Sequence, residues 1–149
     1  MKPTAERVLD VAEDLFAERG YQAASLGDVA ERVGIRSPSL YNHFRNKEAL
    51  YHAVLARLLE KFNTPLRERI RGWQARLVRM HIENPNLARL LQHEALSGGP
   101  GSELIIEQLF KPLIESSSSA MDPGVALSPS GSRLRPWIVM GFNNIVMSY

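Results

Sequence analysis

The sequence predicts an all-α fold in which an amino-terminal unit of three helices precedes a larger helical domain. Apolar residues recur at intervals of three and four along much of the chain, as they do on the buried face of an α-helix. No segment alternates apolar and polar residues between turn residues, as a β-strand would require. With 149 residues, 44% of them hydrophobic and 23% charged, the chain is long enough and apolar enough to bury a core.

The first predicted helix is amphipathic and runs for about four turns. Thr4 stands where its hydroxyl can cap the amino terminus, and Gly20 stands where a helix can end in left-handed geometry. Four apolar residues share the face that should be buried: Val8, Ala12, Leu15 and Phe16.

The second predicted helix is short and spans Leu26–Val33. Ser25 and Asp28 have the spacing of a capping box, in which each side chain satisfies a free backbone N–H group of the first turn. Gly34 then ends the helix, because glycine adopts the left-handed conformation without steric cost.

A third short helix and a long fourth helix follow. Ser37 offers a capping hydroxyl, and Pro38 fits the first turn, where its missing N–H costs nothing. The third helix should end near Phe44. Asn46 can cap the fourth helix, which is predicted to reach Asn63 on the pattern of its apolar residues: Ala49, Leu50, Ala53, Val54, Leu58 and Leu59.

The later part of the chain has clear helix breakers. Pro65 predicts a break or kink, after which residues 66–82 can resume as a helix. The Asn-Pro-Asn sequence at residues 84–86 separates this helix from the next one, which should stop at the glycine-rich residues 98–101. A further helix begins at Ser102 and should bend at Pro112.

Two stretches near the carboxy terminus contrast in composition. Residues 116–131 are rich in serine, proline and glycine and are predicted as a loop or as disordered chain. The stretch Leu134–Tyr149 is apolar almost all round, so a helix formed there must be buried against another surface.

Residues 26–44 have the spacing of a helix-turn-helix. In that motif a small residue lies where the two helices meet, and the turn needs a residue that can take a positive φ. Ala30 and Gly34 meet these two needs. Apolar residues are placed to lock the helix pair together: Val29, Val33, Ile35 and Leu40.

The third helix would then turn Leu40 and Phe44 inward and leave a polar, aromatic surface outside. Asn42 can pair with an adenine edge, and Ser39 and Tyr41 can meet a phosphate or a thymine methyl group. Full positive charges flank this surface at Arg36 and Lys47. His43 has two interpretations, a phosphate ligand or a structural hydrogen-bonding residue.

Residues 25–44 read SLGDVAERVGIRSPSLYNHF, and residues 46–50 read NKEAL. This run resembles the DNA-binding domain of TetR-type (tetracycline-repressor-like) regulators over the first third of the chain. The resemblance implies a cytoplasmic homodimer, usually a repressor, that binds a palindromic double-stranded DNA operator and releases it on binding a small-molecule effector. It implies that these residues face DNA: Ser25, Ser37, Pro38, Ser39, Tyr41, Asn42, His43 and Lys47. Arg36 stands where many members have serine.

We accordingly expect residues 1–46 to form a helix-turn-helix DNA-binding domain and residues 47–149 to form an incomplete helical domain for effector binding and dimerisation. Candidate residues for an effector cavity are Trp73, Met80, His81, Leu90, His93, Phe110, Trp137 and Phe142. Such residues more often form a plain core. The subunit contact is expected through Trp137, Ile138, Phe142 and Ile145.

Other classes of function lack support in the sequence. The chain has no cysteine, and its histidines lack the companions that a metal site or a general base needs, so no metal, cofactor or catalytic residue is predicted. No apolar stretch is long enough for a membrane span, and no signal region precedes the first helix. Two alternatives stay open: an all-α small-molecule-binding protein or enzyme with a structural amino-terminal unit, and an interaction module that works through residues 134–149.

Overall fold

Helices make up every regular element of residues 2–63 and 80–111, the part of the chain that the computed structural model describes. Residues 80–83 are helical. The other elements are α1 (Thr4–Ala23), α2 (Leu26–Val33), α3 (Ser37–Tyr41), α4 (Lys47–Asn63), α5 (Pro85–Ser97) and α6 (Ser102–Ile105), which continues as a π-helical turn (Ile106–Phe110). The all-α prediction is confirmed. The predictions for residues 64–79, for Pro112, and for residues 116–131 and 134–149 lie outside the described residues.

The first helix buries the predicted face but begins and ends differently from the prediction. Its amino-terminal cap position is Pro3, whose carbonyl accepts a hydrogen bond from the Arg7 N–H at 3.2 Å. Thr4 is already helical and makes no capping hydrogen bond, so the prediction of a Thr4 cap was wrong. At Gly20 the backbone leaves helical geometry, with φ 74° and ψ 173°, and a further turn reaches Ala23.

The second helix begins and ends as predicted. The Asp28 N–H donates to Ser25 Oγ at 3.1 Å, and the Ser25 N–H donates to Asp28 Oδ2 at 3.2 Å, which completes the capping box. Gly34 ends the helix in left-handed geometry, with φ 76°. The Ile35 N–H then donates to the Ala30 carbonyl at 3.0 Å, so the turn into the next segment is tight.

The capping box should contribute measurably to stability. We expect Ser25→Ala to lower the free energy of unfolding by about 1 kcal/mol, because the Asp28 N–H in the first turn of α2 loses its acceptor, Ser25 Oγ. Urea unfolding followed by circular dichroism measures this change. Ser39→Ala is the matched control, since Ser39 is exposed on α3; an equal loss in both variants would contradict the capping role.

The same box makes this contribution sensitive to acid. The hydrogen bond from Ser25 holds the pKa of Asp28 below its usual value near 3.8, with help from Arg19 and Arg32. A pKa lowered by folding stabilises the fold above the unfolded value and loses that effect as pH falls through the folded value. The stability difference between the wild type and Ser25→Ala should therefore shrink below about pH 4.

The third helix is shorter than predicted, and its cap lies one residue earlier. Arg36 occupies the cap position, and its carbonyl accepts from the Ser39 N–H at 2.9 Å, so the predicted Ser37 cap was wrong. The helix ends at Tyr41 because the N–H groups of residues 43 and 44 both turn back to the Leu40 carbonyl, each at 3.0 Å. Asn46 caps α4 as predicted, with Oδ1 accepting from the Ala49 N–H at 2.8 Å.

Further along, α5 begins directly after Asn84, which is its cap residue, so the predicted Asn-Pro-Asn break is a single residue wide. Gly98 ends α5 in left-handed geometry, with φ 61°, as its place in the glycine-rich stretch predicted. Within the described residues, no helix combines the length and apolar character needed to cross a membrane.

The core forms where α1 packs against α2, α4 and α5. Its largest fully buried side chains include Phe16 from α1, Tyr51 and Leu55 from α4, and Leu90 from α5. The Phe16 and Tyr51 rings meet edge to face, with their centroids 4.9 Å apart. Both described stretches belong to one compact unit that ends at Ser117, and the predicted domain boundary after residue 46 stays a prediction.

Ion pairs on one side of this core tie three helices together. Arg57 of α4 donates to Asp10 at 2.8 Å and to Glu13 at 2.7 Å, both on α1. Asn86 of α5 donates to the other oxygen of Glu13 at 3.1 Å. Hydrogen bonds from Lys2 and Arg57 hold the pKa of Asp10 below its usual range. These contacts hold α4 and α5 against α1, the helix that also packs on α2 of the helix-turn-helix.

A buried polar cluster lies on the other side, between α4 and α5. Glu94 is only 6% exposed, yet its carboxylate accepts from the Tyr51 hydroxyl at 2.8 Å and from Ser102 Oγ at 3.0 Å. Burial, followed by the bond to Glu94, raises the pKa of the Tyr51 phenol far above its usual value. A Cβ at position 99 would lie 2.2 Å from Glu94 Oε1, and one at position 101 would lie 2.3 Å from Leu55 Cδ1, so a larger residue at either position would force these side chains to move.

Candidate nucleic-acid interface

The helix-turn-helix is formed by α2 and α3, which pack against each other on either side of Gly34. The predicted contact residue Ala30 is buried, as are Val29, Val33 and Leu40, while Ile35 is half-buried. Arg7 of α1 also donates to the Val33 carbonyl at 2.7 Å. This bond ties the end of α2, the first helix of the motif, to α1.

Burial changes abruptly along α3. Leu40 is completely buried, whereas the next residue, Tyr41, is 54% exposed. Phe44, predicted to point inward with Leu40, is half-buried. The predicted DNA-facing residues of this segment are all exposed and are here called the α3 face: Arg36, Ser37, Pro38, Ser39, Tyr41, Asn42 and His43.

The basic residues near the α3 face fall into two groups. Arg32 pairs with Glu18 at 3.1 Å, and Arg57 is bonded to acidic residues of α1, so neither is free to carry charge to a ligand. Arg36 and Arg45, by contrast, are exposed on the two sides of α3. Two exposed arginines therefore flank α3 in the sequence.

Lys47 differs from the other predicted DNA-binding residues because it is half-buried. Its ammonium donates to the Ala24 carbonyl at 3.0 Å and to the Gln22 carbonyl at 3.3 Å. It also lies 4.4 Å from the centroid of the Tyr21 ring. The sequence carries no signal for these contacts, since the partners are 23 to 26 residues away along the chain.

Ser25 is exposed, but its hydroxyl already has two partners at the start of α2. It accepts from the Asp28 N–H and donates to Asp28 Oδ2 at 2.7 Å. A contact between Ser25 and DNA stays a prediction, as do the contacts of the other candidate residues.

The predicted effector-binding residues do not share one environment. Met80 and Leu90 are fully buried core residues, whereas His81, His93 and Phe110 are half-buried. Three predicted effector residues lie outside the described part of the chain: Trp73, Trp137 and Phe142. All four dimer-interface candidates also lie outside it: Trp137, Ile138, Phe142 and Ile145.

A small pocket opens between the end of α1 and the end of α5. It has a volume of about 50 Å³ and is lined by Arg19, Gly20, Tyr21, Gln22, His93, Glu94, Ser97 and Gly99. Pockets for drug-sized ligands are several times larger. Of the predicted effector residues within residues 2–63 and 80–111, only His93 lines it. Across residues 2–63 and 80–111, no group of three or more histidine or acidic side chains is arranged to hold a metal ion.

Comparison with known proteins agrees with this architecture. Residues 8–54 match the family model described as bacterial regulatory proteins of the tetR family. The HTH-type transcriptional repressor ComR of Escherichia coli (strain K12) is 46% identical over 57 residues, which are 38% of this chain and 27% of that protein. The HTH-type transcriptional activator FasR of Mycolicibacterium smegmatis is 38% identical over 65 residues, 44% of this chain and 30% of that protein.

The similarity of fold extends further than the similarity of sequence. The crystal structure of a transcriptional regulator of the TerR/AcrR family from Aquifex aeolicus VF5 superposes with a TM-score of 0.68 at 21% identity, covering 99% of this chain and 86% of that one. The sequence matches to ComR and FasR span less than a third of the length of each relative. Over residues 8–54, the amino-terminal helices of this chain are therefore similar to those of the tetR family of bacterial regulatory proteins.

Proposed function

We propose that this protein is a sequence-specific DNA-binding transcriptional regulator that inserts the α3 face into the major groove. One observation carries the proposal: a single buried residue, Leu40, anchors α3, while the seven residues of the α3 face, Arg36 among them, are exposed and the exposed Arg45 follows them. A helix that served only the core would not leave a tyrosine 54% exposed beside asparagine and histidine. The family model that matches residues 8–54 is described as bacterial regulatory proteins, and the curated relatives ComR and FasR bear the names of transcriptional regulators.

The exposed side chains suit two kinds of contact. Arg36 and Arg45 supply charge to the phosphate backbone, which gives affinity without reading sequence. Asn42 can make a bidentate pair with an adenine edge in the major groove, and Tyr41 can lie against a thymine methyl group. Backbone contacts would position α3, and the side chains at its centre would specify the operator.

The dimeric state, the effector and the direction of regulation are properties of the whole protein. We propose a homodimer that places two copies of α3 about 34 Å apart, one turn of B-DNA, on a palindromic operator. Residues 47–149 would bind a small-molecule effector that favours a spacing unsuited to DNA. Repression is the direction we propose, on the name of the relative ComR, and this role would place the protein with the chromosome in the cytoplasm. The name of FasR makes activation the competing outcome of a reporter assay.

The proposal predicts a specific loss on removing one cation of the α3 face. We expect Arg36→Ala to weaken binding to the DNA upstream of its own gene by about tenfold and to reduce the slope of log affinity against log salt by about 1. Fluorescence anisotropy at several salt concentrations measures both quantities.

Arg89→Ala is the matched control, since Arg89 is equally exposed but lies on α5, which packs against α1. It should change neither the affinity nor the slope. Equal effects of the two variants, or equal affinity of the wild type for the upstream DNA and for a shuffled duplex, would refute a sequence-reading role for α3.

A further inference from the structure

We infer that Lys47 is a positioning residue whose ammonium closes the helix-turn-helix against the end of α1 and so fixes the direction in which α3 points. Its consequence for DNA binding rests on the proposed function, whereas its effect on the free protein does not. A lysine beside a recognition helix would ordinarily be assigned to phosphate. The contacts of this one point inward instead.

The end of α1 needs a cation from elsewhere. The last carbonyls of a helix lack partners within the helix and carry partial negative charge. The last turn of α1 contains no basic residue, and the chain turns there after the interruption at Gly20. The Lys47 ammonium satisfies two of these carbonyls, those of Gln22 and Ala24, and the face of Tyr21 completes its surroundings.

The position of Lys47 in the chain explains why this contact affects the direction of α3. Residues 25–46 carry α2 and α3, and they run from the end of α1 to the start of α4. A bond from Lys47 to Ala24 therefore joins the two ends of the segment that holds the recognition helix. Tyr21 connects this contact to the core, because the centroid of its ring lies 5.0 Å from that of Tyr51 on α4.

A phosphate ligand and a positioning residue need different hydrogen-bond partners for the Lys47 ammonium. Its three N–H groups already face two carbonyl oxygens and an aromatic ring. To bind a phosphate, the ammonium would have to lose at least one of these three contacts. Arg45 is exposed two residues earlier and has no such cost, so it is the better phosphate ligand of the pair.

Lys47→Met tests the inference, because methionine keeps an unbranched side chain and removes the charge. Hydrogen exchange on the free full-length protein should become about tenfold faster at residues 21–24 and across α2 and α3, as expected for losing hydrogen bonds to a charged group. DNA affinity should fall by a similar factor while the salt slope stays unchanged. Lys47→Arg, which keeps the charge and the donors, should recover most of both.

The control is Arg45→Met, which should lower the salt slope by about 1 and leave hydrogen exchange unchanged. If Lys47→Met instead lowers the salt slope by about 1 and leaves hydrogen exchange unchanged, Lys47 is a phosphate ligand and the inference is overturned. Unchanged exchange in Lys47→Met also overturns it. Lys47→Gln, a milder change, gives the same comparison should Lys47→Met not fold. If the wild type fails to bind DNA, the proposed function falls, while the exchange data still decide the role of Lys47.

Discussion

Gly20→Ala is expected to lower the free energy of unfolding by about 3 kcal/mol. The residue combines φ 74° with ψ 173°, a region of backbone space that side chains other than hydrogen rarely enter. An added Cβ would also lie 3.0 Å from His93 Nδ1 and 3.3 Å from its Cγ. Strain and crowding therefore act together at this position, and urea unfolding measures their sum.

Gly27→Ala is the matched control, because it makes the same chemical change in an ordinary helical position of α2. The added Cβ would meet only Ser25 Oγ, at a comfortable 3.6 Å. Alanine is favoured over glycine within a helix, so this variant should be more stable by up to about 1 kcal/mol. The two alanine variants are thus expected to move stability in opposite directions.

His93→Ala separates the two causes at Gly20. The His93 ring packs over the interruption of α1, and its Nε2 lies 3.3 Å from the Ala17 carbonyl. If crowding contributes, Gly20→Ala should cost less when His93 is already alanine. If strain alone acts, the cost should be the same in both backgrounds. A cost below about 1 kcal/mol in the wild-type background would contradict the backbone conformation itself.

The helix-turn-helix could be predicted because its signals are local. Ser25 and Asp28 lie three residues apart, and Gly34 ends the same helix, so each acts through its immediate neighbours. The same kind of reasoning failed at Thr4 and Ser37. In both cases the backbone carbonyl one residue earlier begins the helix, and a hydroxyl in the sequence does not show which of two adjacent residues will adopt extended geometry.

The contacts that hold the motif to the core could not be predicted in the same way. Lys47 reaches Ala24 across 23 residues, and Tyr51 reaches Glu94 across 43, so only the folded chain brings them together. The burial of Glu94, by contrast, could have been predicted from its spacing in the sequence. It follows Leu87, Leu90 and Leu91 at intervals of three and four, which places a carboxylate on the buried face of α5.

That carboxylate leads to the second large effect. Tyr51→Phe is expected to lower the free energy of unfolding by about 3 kcal/mol, because it takes one donor from a buried charge and leaves the volume unchanged. Glu94 would keep Ser102 Oγ, whose hydroxyl also lies 3.2 Å from the Gly99 carbonyl. Tyr21→Phe is the matched control, since this ring belongs to the same aromatic cluster but is half-exposed, and it should cost less than about 0.5 kcal/mol.

Adding Glu94→Leu to Tyr51→Phe should restore part of the lost stability. An unmade hydrogen bond is costly because one partner stays buried and charged, whereas replacing both partners by apolar groups of similar size removes that cost. Urea unfolding of the wild type, both single variants and the double variant completes the cycle. If the double variant loses as much as the two single losses added together, the Tyr51 hydroxyl and the Glu94 carboxylate act independently, and the bond between them does not stabilise the junction of α4 and α5.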